Sequence, residues 1–339
     1  MTPQADRTLS RGDTSLRVRG LTTRFGRGNE AVAVDNLDFD LAPGEVLGLV
    51  GESGSGKSLT LRSLLRLVRA PGIVEGSVIW RGRDLLALPE AELRRVRGRE
   101  IAMIFQEPTT ALNPVLTVEQ QVGESLQVHT GLDARGRRAR TIELLDMVGI
   151  PAAASRLGAY PHQFSGGMRQ RVMIAIALAG NPSLLLADEP TTALDVTIQD
   201  QILKLILSLR DQLGMGVILV THDLGVVAQT CDRVSVMYAG RIIENAPVAD
   251  LFARPRHPYT KGLLGSVPQG GRERRPLMSI DGTPPSLGAK PLGCAFHPRC
   301  PARSALCESE RPVSRDIANG RSVACHHADM AREPEAIRA

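Results

Sequence analysis

Short apolar stretches recur along the chain between polar turns. They predict strands at Leu16–Val18, Ala31–Phe39, Val46–Val50, Ile73–Trp80, Ile101–Phe105, Leu184–Ala187, Val217–Val220 and Val234–Met237. Helical spacing fills several intervals, from Lys57 to Val68 and over Ile198–Leu213. Between Val118 and Leu178 the pattern is mostly helical, with a proline break at Tyr160–His162. Strands alternating with helices predict an α/β fold with a mostly parallel sheet covered on both faces. Residues 1–14 are polar without period and read as a disordered leader, and loops such as Gly270–Pro276 and Thr283–Pro285 follow Gly265. Three units result: the leader, a core over 15–265 with a helical subdomain at about 110–180, and a tail over 266–339.

Composition narrows the classes. Of 339 residues, 42% are hydrophobic and 23% charged, ordinary globular usage that excludes a disordered or collagen-like chain. The longest apolar run, Val172–Ala179, is far short of the roughly 20 residues that span a bilayer. The stretch Met1–Arg19 has no apolar signal core, so the expectation is a soluble protein of the cytoplasm. The net charge of +5 is mild, and no basic run interleaved with aromatics suggests nucleic-acid binding.

Candidate chemistry begins at Gly51-Glu52-Ser53-Gly54-Ser55-Gly56-Lys57-Ser58, which fits G-x-x-x-x-G-K-[ST] after a strand and before a helix. Only four of the 41 basic residues are lysines, so the match is rarer by chance than usual. Such glycines let backbone N–H groups turn toward phosphate oxygens at a helix start. Lys57 is expected to reach the β- and γ-phosphates and Ser58 to hold Mg2+. A phosphate loop needs a second carboxylate for the metal, and Leu184–Glu189 supplies one, with Asp188 on Mg2+ and Glu189 polarising water. Ser165-Gly166-Gly167 opens another helix with free N–H groups, which is either a second anion site or a plain N-cap.

These motifs together resemble the ATP-binding subunits of ABC transporters over residues 15–265. The resemblance implies a P-loop ATPase with a mixed sheet core and a helical subdomain. Gly51–Ser58, with the following Leu59, is similar to the Walker A loop, and Leu184–Glu189 to the Walker B strand. Ser165–Gly167 is similar to the signature, Gln106 to the Q-loop glutamine that senses γ-phosphate and metal, and Ala193-Leu194-Asp195 to the D-loop. His222 resembles the switch histidine. Phe25, 32 residues before Lys57, resembles the aromatic that stacks on adenine, although a lone aromatic beside a strand is equally a core residue. The implied mechanism is a pair of ATPase subunits closing over two ATP molecules and driving membrane subunits through the Gln106 region.

Three stretches narrow the branch: Tyr160–Arg171, Phe105–Pro114 and His257–Leu264 look like those of oligopeptide and dipeptide importers. Nickel and glutathione importers share much of this pattern. The implied partners are a second ATPase subunit, copy or paralogue, two membrane-spanning permease subunits and, indirectly, an extracytoplasmic binding protein. The implied location is the cytoplasmic face of the membrane. ABC-type ATPases acting on nucleic acid carry long insertions between the Walker motifs, whereas here only about 130 residues separate Lys57 from Asp188, with no heptad run.

Cys294, Cys300, Cys307 and Cys325 are spaced C-x5-C-x6-C-x17-C in the tail. Disulfides suit a reducing compartment poorly. Structural zinc sites usually use short C-x2–4-C pairs, absent here, and iron–sulfur clusters tolerate wider spacing. Similarity to the tails of peptide-importer ATPases favours a [4Fe-4S] cluster, with Zn2+ as the alternative; His297, His326 and His327 lie close enough to be substitute donors, although plain surface histidines are the more ordinary reading.

Overall fold

The computed structural model describes residues 15–26, 31–266, 280–317 and 320–328. The expected leader and the Gly270–Pro276 loop lie outside them. In chain order the strands are β1 (Leu16–Phe25), β2 (Ala31–Leu41), β3 (Val46–Val50), β4 (Ile73–Trp80), β5 (Arg83–Asp84), β6 (Ile101–Ile104), β7 (Leu184–Asp188), β8 (Gly216–Thr221), β9 (Arg233–Tyr238), β10 (Arg241–Pro247), β11 (Arg315–Ile317) and β12 (Arg321–Val323).

The central sheet has the order β11-β12-β10-β9-β3-β8-β7-β6. Every residue of β3, β7 and β8 is buried, as their unbroken apolar sequences require of parallel strands covered on both faces. Strands β6, β7, β8, β3 and β9 run parallel. The expected parallel sheet ends there, because β10, β12 and β11 pair antiparallel beyond β9. A second sheet, β2-β1-β4-β5, is antiparallel throughout. In β1, Leu16, Val18 and Leu21 point inward and Arg17 and Arg19 outward, the alternation of a strand with one wet face.

Alternate residues of the central strands serve two cores. Leu184 and Leu186 pack with Leu16, Trp80, Leu61 and Leu64, joining the small sheet and the Lys57–Leu64 helix to one face. Leu185 and Ala187 pack with Val122, Leu126, Leu144 and Ile174, which belong to the helical segment on the other face. That segment contains the helices Val118–His129, Ala134–Met147 and Gly166–Leu178, with short 3-10 turns at Ala153–Arg156 and Pro161–Gln163.

The tail does not stand apart as the expected cysteine-rich unit. β12 pairs with β10 through Glu244↔Val323, and Phe296 packs against Tyr238 and Tyr259. Phe296 is buried in a cluster with Val234, Val236 and Tyr238 of the main sheet, and Val323 and Ala324 are buried at the end of β12, so the segment packs onto that sheet.

His257 caps the Pro258–Gly265 helix, its Nδ1 accepting from the Tyr259 N–H at 3.0 Å. Complete burial pushes its imidazole down to about 3. The folded state therefore holds it neutral where the unfolded chain, below about pH 6.5, protonates it. Stability falls as pH drops from there, by about 1.4 kcal/mol per unit for this group. His257→Asn keeps an acceptor for the cap. Urea midpoints measured from about pH 4 to 7 should show a flatter profile in that variant.

Candidate active site

Strand β3 ends in Val50, and the chain turns at Gly51 with φ +152°. A Cβ there would run into the Met237 carbonyl and lie 2.9 Å from Ser55 Oγ, so only glycine lets the loop curl this tightly. Ser53 and Gly54 are exposed at the tip, while Ser55 is buried. Gly56 occupies the N-cap of the Lys57–Leu64 helix at φ +102°, with no side-chain cap. The first N–H groups of that helix, around Ser58 and Leu59, thereby have no side-chain cap, an arrangement suited to an anion.

Lys57 is buried, and its Nζ donates to the carbonyls of Gly51 at 2.7 Å and Glu52 at 2.9 Å. Burial lowers its pKa, opposed by the charges of Glu189, Asp188 and Glu52. Asp188, wholly buried at the end of β7, accepts from Ser58 Oγ at 2.7 Å through Oδ1. Burial pushes its carboxyl up, and its Oδ2 has no hydrogen-bond partner. A buried carboxylate oxygen left over beside a serine hydroxyl fits a hard divalent cation, which takes oxygen ligands.

Glu189 is held at φ +45°, a conformation that costs a non-glycine residue about 1–3 kcal/mol and concentrates at functional sites. Its Oε2 is approached by Thr192 Oγ1 at 2.8 Å, Gln106 Nε2 at 3.1 Å and His222 Nδ1 at 3.5 Å. The ends of β6, β7 and β8 thus bring Gln106, Asp188, Glu189 and His222 to one edge of the sheet beside the phosphate loop. Thr192 escaped the sequence reading; its only signal was its position three residues after Glu189 in a turn.

Other candidates lie elsewhere. Ser165 is exposed and caps the Gly166–Leu178 helix by accepting from Met168 N–H at 3.3 Å. Gly166 and Gly167 approach Leu194 and Ile198, and Asp195 caps the Val196–Leu213 helix through Ile198 N–H at 2.9 Å. Among the described residues no hydrogen bond joins Ser165–Gly167 to the loop around Lys57 of the same chain. Phe25 ends β1 half-buried, its ring beside Gly72.

The ABC transporter family profile matches residues 34–192, and that of the oligopeptide/dipeptide transporter C-terminal region matches residues 243–307. A peptide ABC transporter ATP-binding protein of Sinorhizobium fredii is 51% identical over 321 residues, covering 93% of this chain and 95% of its own. The chain belongs to the ABC transporter ATP-binding family. A peptide import ATP-binding protein of Brucella abortus is 52% identical over 91% of this chain and 94% of its own. Among solved structures, the ADP- and Pi-bound dimer of the ATP-binding cassette MJ0796 superposes with a TM-score of 0.61 at 31% identity, covering 69% of this chain and 98% of that one. The cbiO1 protein of Clostridium perfringens, part of the cbiONQ transporter complex, gives 0.61 at 28% identity over 71% and 91%. This ABC ATPase therefore has the ABC-type P-loop fold and takes ATP with Mg2+.

The expected metal centre of the tail is not there. Among the described residues no three His, Cys, Asp or Glu side chains are placed to hold a metal ion, which overturns both the [4Fe-4S] cluster and the zinc alternative at Cys294, Cys300, Cys307 and Cys325. Two of the thiols make contacts of their own. Cys307 Sγ meets Ser304 Oγ at 3.5 Å, and Cys325 Sγ accepts from His327 N–H at 3.4 Å. Burial pushes the Cys294 thiol up to about 11 and raises Cys300 and Cys325. The histidines are likewise bonded elsewhere, His297 to the Cys294 carbonyl, His326 to the Glu310 carbonyl and His327 to Ser304.

Proposed function

We propose that this ABC ATPase is the motor of a peptide importer, working as one of two ATPase subunits on the cytoplasmic face of the membrane. The convergence of Gln106, Asp188, Glu189 and His222 on the phosphate loop carries this reading. The match of residues 243–307 to the oligopeptide/dipeptide transporter region supports peptide as the cargo class. No helix among the described residues is long and apolar enough to cross a membrane, so passage of the cargo falls to separate permease subunits, fed by an extracytoplasmic binding protein.

In this reading Gly51 to Leu59 wrap the phosphates, with Ser53, Gly54, Ser55 and Gly56 presenting backbone N–H groups. Lys57 leaves the Gly51 and Glu52 carbonyls to bond the β- and γ-phosphates, and Phe25 lies against adenine. Ser58, Asp188 and Gln106 would hold Mg2+, which would neutralise charge on the phosphate oxygens. Glu189 takes a proton from the attacking water, and His222 contacts the γ-phosphate. Ser165, Gly166 and Gly167 face outward on their helix start, so they cap the nucleotide of the second subunit rather than their own, with Asp195 beside that interface. An open groove of about 450 Å³ lined by Arg62, Phe105, Gln106, Glu107, Thr110 and Ala111 borders the site. Phe105 is 41% exposed there, an apolar side chain suited to a permease segment that feels Gln106 move.

The test is co-expression with candidate peptide-permease subunits. The expected result is a detergent-stable complex whose ATPase activity rises with a peptide-loaded binding protein. A chain that is retained on heparin or DNA and ignores the permeases would sink the proposal.

A further inference from the structure

We propose that Arg299, in the C-terminal segment, is a positioning residue for the phosphate loop and sets its readiness for nucleotide. The inference rests on the nucleotide-site reading above and concerns a residue far outside the phosphate-binding motifs. The short turn His297–Arg299 places the guanidinium against Glu52, the residue directly after Gly51. Arg299 Nη1 donates to Glu52 Oε2 at 2.7 Å and Nη2 to Oε1 at 2.9 Å, a two-pronged pair between residues 247 apart in sequence.

The pair is built rather than incidental. The Arg299 side chain is 5% exposed. Its Nε donates to the Asp281 carbonyl at 2.9 Å, and its guanidinium lies 5.8 Å from the Tyr238 ring centre and 5.9 Å from that of Phe296. The hydrogen bond to Glu52 raises its pKa further, so the charge is permanent. A second tether comes from the helix before the tail, where Tyr259 Oη accepts the Glu52 N–H at 2.9 Å. Tyr259 is itself fixed by ring contacts with Tyr238 and Phe296, at 4.7 and 5.3 Å between centroids.

Glu52 thus has its side chain and its N–H fixed by residues beyond the ATPase motifs, while its carbonyl accepts from Lys57 Nζ at 2.9 Å. Its peptide planes are set from outside the loop, and with them the carbonyl on which Lys57 rests before phosphate arrives. A glycine-rich loop held this way loses less freedom when nucleotide binds, which is where preorganisation acts on affinity. Arg299 touches no reacting atom and acts through Glu52.

The experiment measures Mg2+–ADP affinity by calorimetry, and unfolding midpoints, for the full chain carrying Arg299→Gln, Glu52→Gln, both, or Arg299→Lys. Each single glutamine variant should weaken ADP about tenfold in protein still folded at the assay temperature, and the double variant should be no weaker than either single, a coupling of similar size. Arg299→Lys should recover part of the loss, since an ammonium keeps the charge and not the fork. Should Arg299→Gln fail to fold, Glu52→Gln alone decides, because it breaks the pair from the loop side. Unchanged affinity in Glu52→Gln, or strictly additive losses, overturns the proposal. Wild-type protein that does not bind ADP at all would instead overturn the nucleotide-site reading.

Discussion

Glu189→Gln should cut steady-state ATP hydrolysis by roughly 10²-fold or more, the scale of losing a general base. The amide keeps the size of the carboxylate and can still accept from Thr192 and Gln106, whose donors lie 2.8 and 3.1 Å from Oε2. What it loses is the ability to take a proton from water. Nucleotide binding should survive, because no bond of Lys57, Ser58 or Asp188 passes through Glu189. With turnover blocked, ATP should accumulate a closed pair of subunits, visible as a doubled mass in gel filtration with ATP and absent with ADP. Near-normal hydrolysis in this variant would mean that the proton goes elsewhere.

Lys57→Ala should act one step earlier. Charge-assisted hydrogen bonds are worth about 1.5–3 kcal/mol each, so losing the lysine should weaken ATP by roughly 10²-fold. Folding should change far less. The two carbonyl bonds to Gly51 and Glu52 disappear, yet so does the burial of a cation whose pKa the site already lowers. Fluorescent-nucleotide titration with thermal melts of the same samples separates the two effects. Undiminished affinity in a folded variant would displace Lys57 from its role.

Where chemistry follows from residue type at fixed spacing, the chain was readable. The loop Gly51–Ser58 and the strand Leu184–Asp188 lie where the pattern put them, since a buried parallel strand must be apolar and a phosphate turn needs glycine. Prediction failed where pairing partners are distant. β10 was missed because Arg241–Pro247 lacks a clean alternation and is held by β9 and β12. The cysteines misled for a related reason. Their spacing is compatible with several ligand sets, and only the packed tail, in which no three such side chains among the described residues are placed to hold a metal ion, decides among them.

The sequence by itself determined the family and its nucleotide motifs, because these sit on local turns and strand ends that short segments specify. Tertiary structure alone decided that the C-terminal segment finishes the main sheet and grips Glu52. Residues 52 and 299 meet only after β9, the Pro258–Gly265 helix and the tail have packed around Tyr238, Tyr259 and Phe296. A contact of that range leaves no periodic trace along the chain, since its geometry is fixed by burial of side chains from distant segments.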